Sequence, residues 1–408
     1  MNFSFLPSLP LELSYPLLFG VLLVAGMLGG EAARSLRLPR IIGYVIVGFV
    51  IAPVAGAMNL SPLIEEARIF VDIALGLVLF DLGRRMDLDW MKRDWTLAAS
   101  GLAESFAAFG LVFAALAWLD FPAVQAGLAA AIAMATAPAV VLLVAQDTKS
   151  EGQVTERALN LVALNSLVAS ILVTILLASA HYEVRFDLDT AFLHPLYLFA
   201  GSLALGGAIA TFARVLARGV EKSPELHFTL IVGLVVGAVG VASALKLSVI
   251  LALLAFGLFA RNTERRHDLM NVELGRASRL FYIVLFVITG ASLPLSAFET
   301  AGWAAVAFVA ARAAGKFVGV LGFALVGGLR PRQAVGLGAA LLPMSTLALM
   351  LQHDVAKIFP QFGDQLAAVV LAAVILMELA GPVAVQWGLR FAGETEPEPS
   401  AASAPAKA

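Results

Sequence analysis

The stretch Ala135-Thr136-Ala137-Pro138-Ala139 places a threonine and a proline in the middle of an apolar segment that is long enough to cross a membrane. A proline inside a helix removes one backbone hydrogen bond and leaves carbonyl oxygens without a partner. Within a bilayer, such a break is tolerated only where it faces protein or a water-filled cavity. Ion-coupled transporters build sites at the membrane midplane from broken helices of this kind. The stretch therefore predicts a broken transmembrane helix, with Thr136 and Pro138 at the break.

The composition of the 408-residue chain indicates an integral membrane protein. Hydrophobic residues make up 60% of it and charged residues 14%, whereas soluble domains carry about 25% charged residues. The net charge is −2 and the basic residues are scattered through loops, so we expect no nucleic-acid partner. The chain has no cysteine, which excludes disulfides and thiolate metal sites. The histidines lie at no metal-ligand spacing and no Walker-type loop is present, so we expect a transporter without metal or cofactor, and not an enzyme.

Thirteen apolar segments approach the roughly 20 residues that a helix needs to cross a bilayer. They lie at 16–33, 39–57, 67–83, 96–118, 122–146, 157–180, 191–213, 226–244, 247–260, 280–298, 301–328, 333–352 and 363–391. Of the 27 lysines and arginines, Arg312 and Lys316 lie deep inside a span, the loops and span ends on one side hold four, and those on the other side hold the remaining 21. This asymmetry follows the positive-inside rule. It predicts an all-α membrane protein of about 13 transmembrane helices, with the N-terminus outside and the C-terminus in the cytoplasm.

An internal repeat relates two parts of the chain, at about 16–180 and 226–391. The hexapeptide LRLPRI at 36–41 opens the second span, and LKLSVI at 245–250 opens the ninth. This offset of seven spans is odd, so the two copies are inverted in the membrane. The same offset pairs the fifth span with the twelfth, which the sequence LPMST interrupts at 342–346. Interrupted segments at matching positions of an inverted repeat indicate a transporter site, so we expect Pro343 and Thr346 to lie at a second break.

Short motifs in a fixed order extend these observations along most of the chain. They are LPRIIGY at 38–44 with Gly48, LGRRMDL at 82–88, ATAPA at 135–139, LS at 247–248 with FG at 256–257, FVITGASL at 286–293, GKFVG at 315–319 and ELAGP at 378–382. Through them the chain resembles the cation:proton antiporter superfamily, in particular Kef-type and related bacterial sodium/hydrogen exchangers, over about 16–391. The resemblance implies an inverted-repeat antiporter fold in which two broken helices cross at the midplane.

Function, assembly and location are also implied by this resemblance. It implies a secondary active transporter of the bacterial inner membrane that exchanges a monovalent cation, Na⁺ or K⁺, for protons by alternating access. It implies a homodimer, surrounded by membrane lipid, with a moving core domain and a static dimerisation domain. On this basis we expect one transmembrane exchanger domain at 1–391. The segment 392–408, rich in Glu, Pro, Ser and Ala, is expected to be a disordered cytoplasmic tail.

One departure from the family concerns the residues that carry the ion. In the family, the sixth span carries Asp-Asp, Asn-Asp or Gln-Asp, and the second acid binds the cation and the proton competitively. Asn165 and Ser166 occupy these positions here, and neither side chain titrates near neutral pH. We expect both to face Thr136 at the crossing of the broken helices, with Pro343 and Thr346 nearby.

Four charged residues remain deep inside the predicted spans, namely Glu104, Arg312, Lys316 and Glu378. An intramembrane charge is costly and is a functional candidate by default. We expect Lys316 to pair with Glu104 or Glu378. Either this pair only stabilises the fold, or one of the two carboxylates carries the proton. Arg312, one turn from Lys316, either snorkels to the membrane surface or closes a contact within the bundle.

Three functions remain open on the sequence alone. The first is exchange of a monovalent cation for protons through Glu104 or Glu378 in place of the missing acid. The second is transport of another small ion or solute by the same fold without proton coupling. The third is a homologue inactive in transport that serves as a membrane interaction or regulatory protein.

Overall fold

The computed structural model describes residues 15–57, 68–86, 88–185, 188–221, 223–263, 274–324, 326–359 and 363–395. Within these ranges, every regular element is a helix. The helices are α1 (Tyr15–Ser35), α2 (Arg40–Ala57), α3 (Arg68–Arg85), α4 (Leu88–Arg93), α5 (Trp95–Trp118), α6 (Ala123–Met134), α7 (Pro138–Asp147), α8 (Gln153–Arg185), α9 (Leu188–Gly219), α10 (Pro224–Ala244), α11 (Val249–Asn262), α12 (Leu274–Ser292), α13 (Ala297–Ala301), α14 (Trp303–Ala324), α15 (Pro331–Ala340), α16 (Thr346–Ile358) and α17 (Gly363–Ala392). The all-α prediction is confirmed.

The helices coincide with the predicted membrane spans. Within the described residues, eight segments are long and apolar enough to cross a membrane, with α6 and α7 taken together as one of them. Three shorter apolar helices lie at Arg40–Pro53, Val249–Asn262 and Leu280–Ser292. The two remaining predicted spans fall on α3 and on the pair formed by α15 and α16. The chain is therefore a multi-pass membrane protein, and the number of thirteen crossings stays a prediction from the sequence.

Local sequence signals set the ends of several helices. Proline is the first residue of α7, α10 and α15, where its missing N–H would have no partner in any case. Ser223 caps α10 and accepts a hydrogen bond from the Leu226 amide. The last helix, α17, ends at Ala392 and is followed by Gly393, whose φ of 82° is a conformation that favours glycine.

The structure divides into two compact units, and the first comprises Met1–Ala74 and Arg276–Leu293. In this unit α1 packs against α2. Helices α2 and α12 approach each other so closely at Gly48 that a Cβ atom there would overlap the backbone of Val287. Small residues allow such close helix contacts in membranes. The predicted exchanger domain at 1–391 spans both units.

The second unit comprises Leu75–Gly275 and Pro294–Ala408, and its most extensive helix contact joins α5 and α14. A Cβ atom on Gly315 would overlap the backbone of Ala108, and one on Gly319 would overlap the backbone of Glu104. The two glycines therefore let the helices touch backbone to backbone. This contact positions Lys316, which lies between the glycines, beside Glu104.

Helices α6, α7, α15 and α16 form the interior of the second unit. Every residue from Ala126 to Met134 of α6 is buried, and so is every residue from Pro138 to Ala145 of α7. The long helices α8 and α17 pack against this group. Gly381 of α17 lies against Pro343, which follows α15. The segments with sequence interruptions therefore lie at the centre of the unit.

Candidate functional site

The segment predicted to cross the membrane at 122–146 is broken at its proline. Helix α6 ends at Met134, and α7 begins at Pro138. Between them, Ala135 and Ala137 have extended backbone conformations. Because α6 stops here and no further helical turn follows, the last carbonyl groups of α6 need partners from elsewhere in the structure. The first predicted break is therefore present, with Thr136 at its centre.

A second break lies where the sequence LPMST predicts it. Helix α15 ends at Ala340, and α16 begins at Thr346. Ser345 is the residue that precedes α16 and has a non-helical backbone, with φ −155° and ψ −144°. Residues 341–345 connect the two helices and contain Pro343. Both segments that the sequence predicts to be interrupted are therefore broken in the structure.

The two breaks contact each other directly. The Ala137 amide donates a hydrogen bond of 2.9 Å to the Pro343 carbonyl. The Thr136 hydroxyl donates one of 3.1 Å to the Leu341 carbonyl, 205 residues away in the sequence. These bonds satisfy groups that the breaks release, as burial requires. The crossing of two broken helices is confirmed by this pair of contacts.

Arg312 of α14 binds the carbonyl groups of both breaks. Its guanidinium donates to the carbonyls of Ala133 at 2.8 Å, Ala135 at 2.7 Å and Pro343 at 3.2 Å, and also to that of Leu342. The side chain is 1% exposed, so it does not snorkel to a membrane surface. The C-terminal end of a helix carries partial negative charge that a cation stabilises. Arg312 therefore holds the ends of α6 and α15 together.

Lys316, one turn further along α14, forms a buried ion pair with Glu104 of α5. Its Nζ lies 2.7 Å from Glu104 Oε2, and both side chains are 0% exposed. The same ammonium donates a hydrogen bond of 2.7 Å to the Met134 carbonyl at the end of α6. Of the two partners predicted for Lys316, the structure therefore selects Glu104.

Asn165 of α8 connects the first break to α5, the helix that carries Glu104. Its amide nitrogen donates to the Thr136 hydroxyl at 3.3 Å. Its amide oxygen accepts a hydrogen bond of 2.9 Å from Ser105, which follows Glu104 on α5. The structure therefore brings Thr136 and Asn165 together, as predicted.

Ser166 is fully buried, but its hydroxyl is used within its own helix. It donates a hydrogen bond of 2.7 Å to the Val162 carbonyl. A serine in a helix commonly forms such a bond to the carbonyl four residues earlier. The structure gives Ser166 no hydrogen bond to Thr136 among the described contacts, so of the predicted pair only Asn165 bonds to the first break.

Glu378 of α17 lies at the second break and not at the ion pair. Its Oε1 accepts a hydrogen bond of 2.5 Å from Ser345. The Ser345 and Thr346 hydroxyls are 3.3 Å apart, which makes these three side chains one group. Glu378 is 0% exposed. We call Glu378, Ser345 and Thr346 the second-break cluster, and we call the group of Glu104, Lys316, Arg312, Asn165, Ser105 and Thr136 the ion-pair cluster.

The sequence left two roles open for Arg312, of which the structure shows the contact within the bundle, and it gave no role to Ser105. The signal for Arg312 was its spacing of four residues from Lys316, which places both side chains on one face of α14. Ser105 carried no comparable signal, because a serine in a membrane helix usually bonds to its own backbone. In the described part of the chain, no group of His, Cys, Asp and Glu side chains is arranged to hold a metal ion.

The start of α8, the helix that carries Asn165, is capped by a residue beyond α17. Glu394 accepts hydrogen bonds from the Val154 amide at 2.7 Å and from the Thr155 amide at 2.8 Å. It also accepts one of 2.9 Å from the Thr155 hydroxyl. A carboxylate at this position satisfies free amide groups and opposes the partial positive charge of the helix end. Residues 392–395 of the predicted tail therefore lie beside the start of α8. Residues 396–408 lie outside the described residues.

Residues 19–389 match the family model described as sodium/hydrogen exchanger, transmembrane. This match covers most of the chain and agrees with the two paired breaks. The chain belongs to the sodium/hydrogen exchanger family. It is therefore a membrane transporter by family and not an enzyme. A comparison with curated proteins finds no match.

Two solved structures of one archaeal protein share the fold. One is the sodium proton antiporter MjNhaP1 from Methanocaldococcus jannaschii at pH 8, with a TM-score of 0.69 and 18% sequence identity over 93% of this chain and 98% of that one. The other, an electron microscopy map of the same antiporter, gives a TM-score of 0.71 and 17% identity over the same shares of the two chains. At these identities the likeness shows the fold alone.

Proposed function

We propose that this member of the family exchanges a monovalent cation, Na⁺ or K⁺, for protons by alternating access. The observation that carries the proposal is the pairing of the two breaks, with Ala137 bonded to Pro343, in the buried interior of a family member. Paired breaks of this kind line the ion sites of secondary transporters. The solved structures that share the fold belong to a sodium proton antiporter, which favours the same activity.

Proton coupling requires a group that binds either a proton or the cation. Asn165 and Ser166 are not such groups, because neither changes its charge near neutral pH. Glu104 and Glu378 are fully buried at the crossing, and a buried carboxylate is stable only if it is neutralised by a proton or a cation. We therefore assign the coupling to a carboxylate outside α8.

The remaining parts of the proposal concern orientation and assembly. The excess of lysine and arginine in loops on one side supports a cytoplasmic location for those loops and for the C-terminus. The family supports a homodimer in membrane lipid, in the inner membrane of a bacterium. A transporter without proton coupling and a homologue inactive in transport are the alternatives that the following experiment tests.

The test is transport by purified protein in liposomes that contain a pH-sensitive dye. We expect external Na⁺ or K⁺ to release protons from the lumen, with Li⁺ tested in parallel and choline as the inert cation. Glu299→Gln is the control for the loss of a glutamate as such. Glu299 is exposed, so its substitution should leave the dye signal unchanged. Uptake of radioactive cation without a dye signal would indicate uncoupled transport. No flux of any alkali cation would favour the inactive homologue.

A further inference from the structure

We propose that the transported cation binds at the second-break cluster, where the Glu378 carboxylate and the Ser345 and Thr346 hydroxyls supply its ligands. This rests on the proposed exchange activity and names the site that performs it. The site differs from the α8 position at which relatives carry their acid. Glu104 then serves to neutralise Lys316 and does not carry the proton.

The two buried carboxylates have different partners. Glu104 is paired with Lys316 at 2.7 Å. Both carboxylates have a buried oxygen without a hydrogen-bond partner, Oε1 in Glu104 and Oε2 in Glu378. Glu378 accepts a hydrogen bond from Ser345 through Oε1, but in the described residues no basic side chain forms an ion pair with it. An unpaired buried carboxylate is unfavourable, so it holds a proton or binds a cation. Glu378 thus has the property that exchange needs.

The ion-pair cluster offers few oxygens to a cation. The carbonyls of Ala133, Ala135, Leu342 and Pro343 already accept hydrogen bonds from Arg312. The Asn165 oxygen accepts one from Ser105. Lys316 also places a positive charge beside Glu104 that repels an approaching cation, whereas Arg312 reaches both breaks. A cation at the crossing is therefore more stable on the side of Glu378.

The chemistry of the second-break cluster suits a monovalent alkali cation. Carboxylate and hydroxyl oxygens are the ligands that hard cations prefer. One carboxylate neutralises one positive charge, and no second acid lies in the cluster to neutralise a divalent ion. The start of α16 carries partial positive charge, which favours the ionised form of Glu378 and weakens the hold on a bound cation. Moderate affinity is what transport requires, because the ion must also leave.

The exchange step balances in charge and atoms. As the cation binds, the O–H bond of the Glu378 carboxylic acid breaks and the proton passes to water. The carboxylate then accepts the cation in the place of the proton. Because the two ligands share one carboxylate, binding of either one displaces the other.

Cation binding tests this site independently of transport. With purified protein in weakly buffered detergent solution, we expect Na⁺ or K⁺ to raise the unfolding temperature and to release protons, relative to choline. Glu378→Gln should abolish both effects, and Glu299→Gln should leave both unchanged. Ser345→Ala should weaken cation binding by about tenfold, as expected for the loss of one ligand to a charged group. Ser170→Ala is its control, because Ser170 is also buried and bonds within α8.

Each contrary result has a separate meaning. If Glu378→Gln still binds the cation with proton release, the site assignment is wrong, even if wild type exchanges ions in liposomes. If wild type binds no alkali cation, the site is likewise wrong. If wild type binds the cation through Glu378 but shows no flux in liposomes, the exchange activity fails and the site stands. If Glu378→Gln does not fold, Ser345→Ala and Thr346→Val test the site in its place. An unchanged cation affinity in both variants would show that the cation does not bind at the second-break cluster.

Discussion

Glu394 occupies the space that a side chain at Gly152 would need. A Cβ atom on Gly152 would overlap the Glu394 carboxyl group. Gly152 accepts the first backbone hydrogen bond of α8, from the Glu156 amide, and as a glycine it has no side chain to cap the helix. The carboxylate of Glu394 takes that role from the far end of the sequence, and it thereby connects the end of α17 to the start of α8.

Removal of this cap should destabilise the protein. We expect Glu394→Ala to lower the free energy of unfolding by about 1 kcal/mol, the usual effect of losing a helix cap. Glu151→Ala is the matched control, because it removes an exposed carboxylate from the loop that precedes α8. Thermal unfolding in detergent measures both variants. Equal stability of the two would show that the contacts of Glu394 contribute nothing.

The α5–α14 contact depends on the glycine that faces Glu104. Gly319→Ala should destabilise the fold by about 1–3 kcal/mol, as overpacking does, because its Cβ atom would overlap the backbone of Glu104. Gly322→Ala on the same helix is the control, since a Cβ atom there meets nothing within 4 Å. It should be neutral or slightly stabilising because alanine favours helix formation. Comparable losses in both variants would contradict the packing argument.

The pair of Glu104 and Lys316 should behave as a structural unit. Glu104→Gln leaves a buried ammonium without its partner and should cost about 3–5 kcal/mol. Adding Lys316→Met to it should recover part of this loss, because the unpaired charge is then removed. A double-mutant cycle from thermal unfolding measures the coupling. Additive effects of the two changes would show that the residues do not interact.

Arg312 should not be replaceable by lysine. A lysine ammonium lacks the planar guanidinium group whose several N–H donors reach carbonyls on both breaks. The buried carbonyls would therefore lose their donors. We expect Arg312→Lys to lower the free energy of unfolding by about 2–3 kcal/mol, from unsatisfied buried groups. Arg34→Lys, at an exposed salt bridge with Glu31, is the control and should be neutral. Near-native stability of Arg312→Lys would contradict the role of the guanidinium.

The sequence predicted the breaks because proline and the inverted repeat leave local signals. Pro138 and Pro343 interrupt their segments in a way that the amino-acid pattern shows directly. The sequence did not separate Glu104 from Glu378, because both are single acids inside apolar spans. The two glutamates differ in the helix that each one faces. The contact of Lys316 with Glu104 joins residues more than 200 positions apart. Such contacts follow from tertiary packing, which the local sequence pattern does not encode. Glu394 was missed for the same reason, since its partners lie 239 and 240 residues away.

Ser166 of α8 stands at the position where the resemblance to the family places an acid. Ser166→Asp should create or strengthen pH-dependent cation exchange, because it restores at α8 a group for which a proton and a cation compete. Ser170→Asp is the control, since Ser170 lies one turn further on the same helix, is also buried, and donates to the Ser166 carbonyl. The liposome assay, run across a range of pH, measures both variants. A gain for Ser166→Asp alone would place the competition at that position. A gain in both variants, or in neither, would show that an acid at position 166 has no special access to the transported ion.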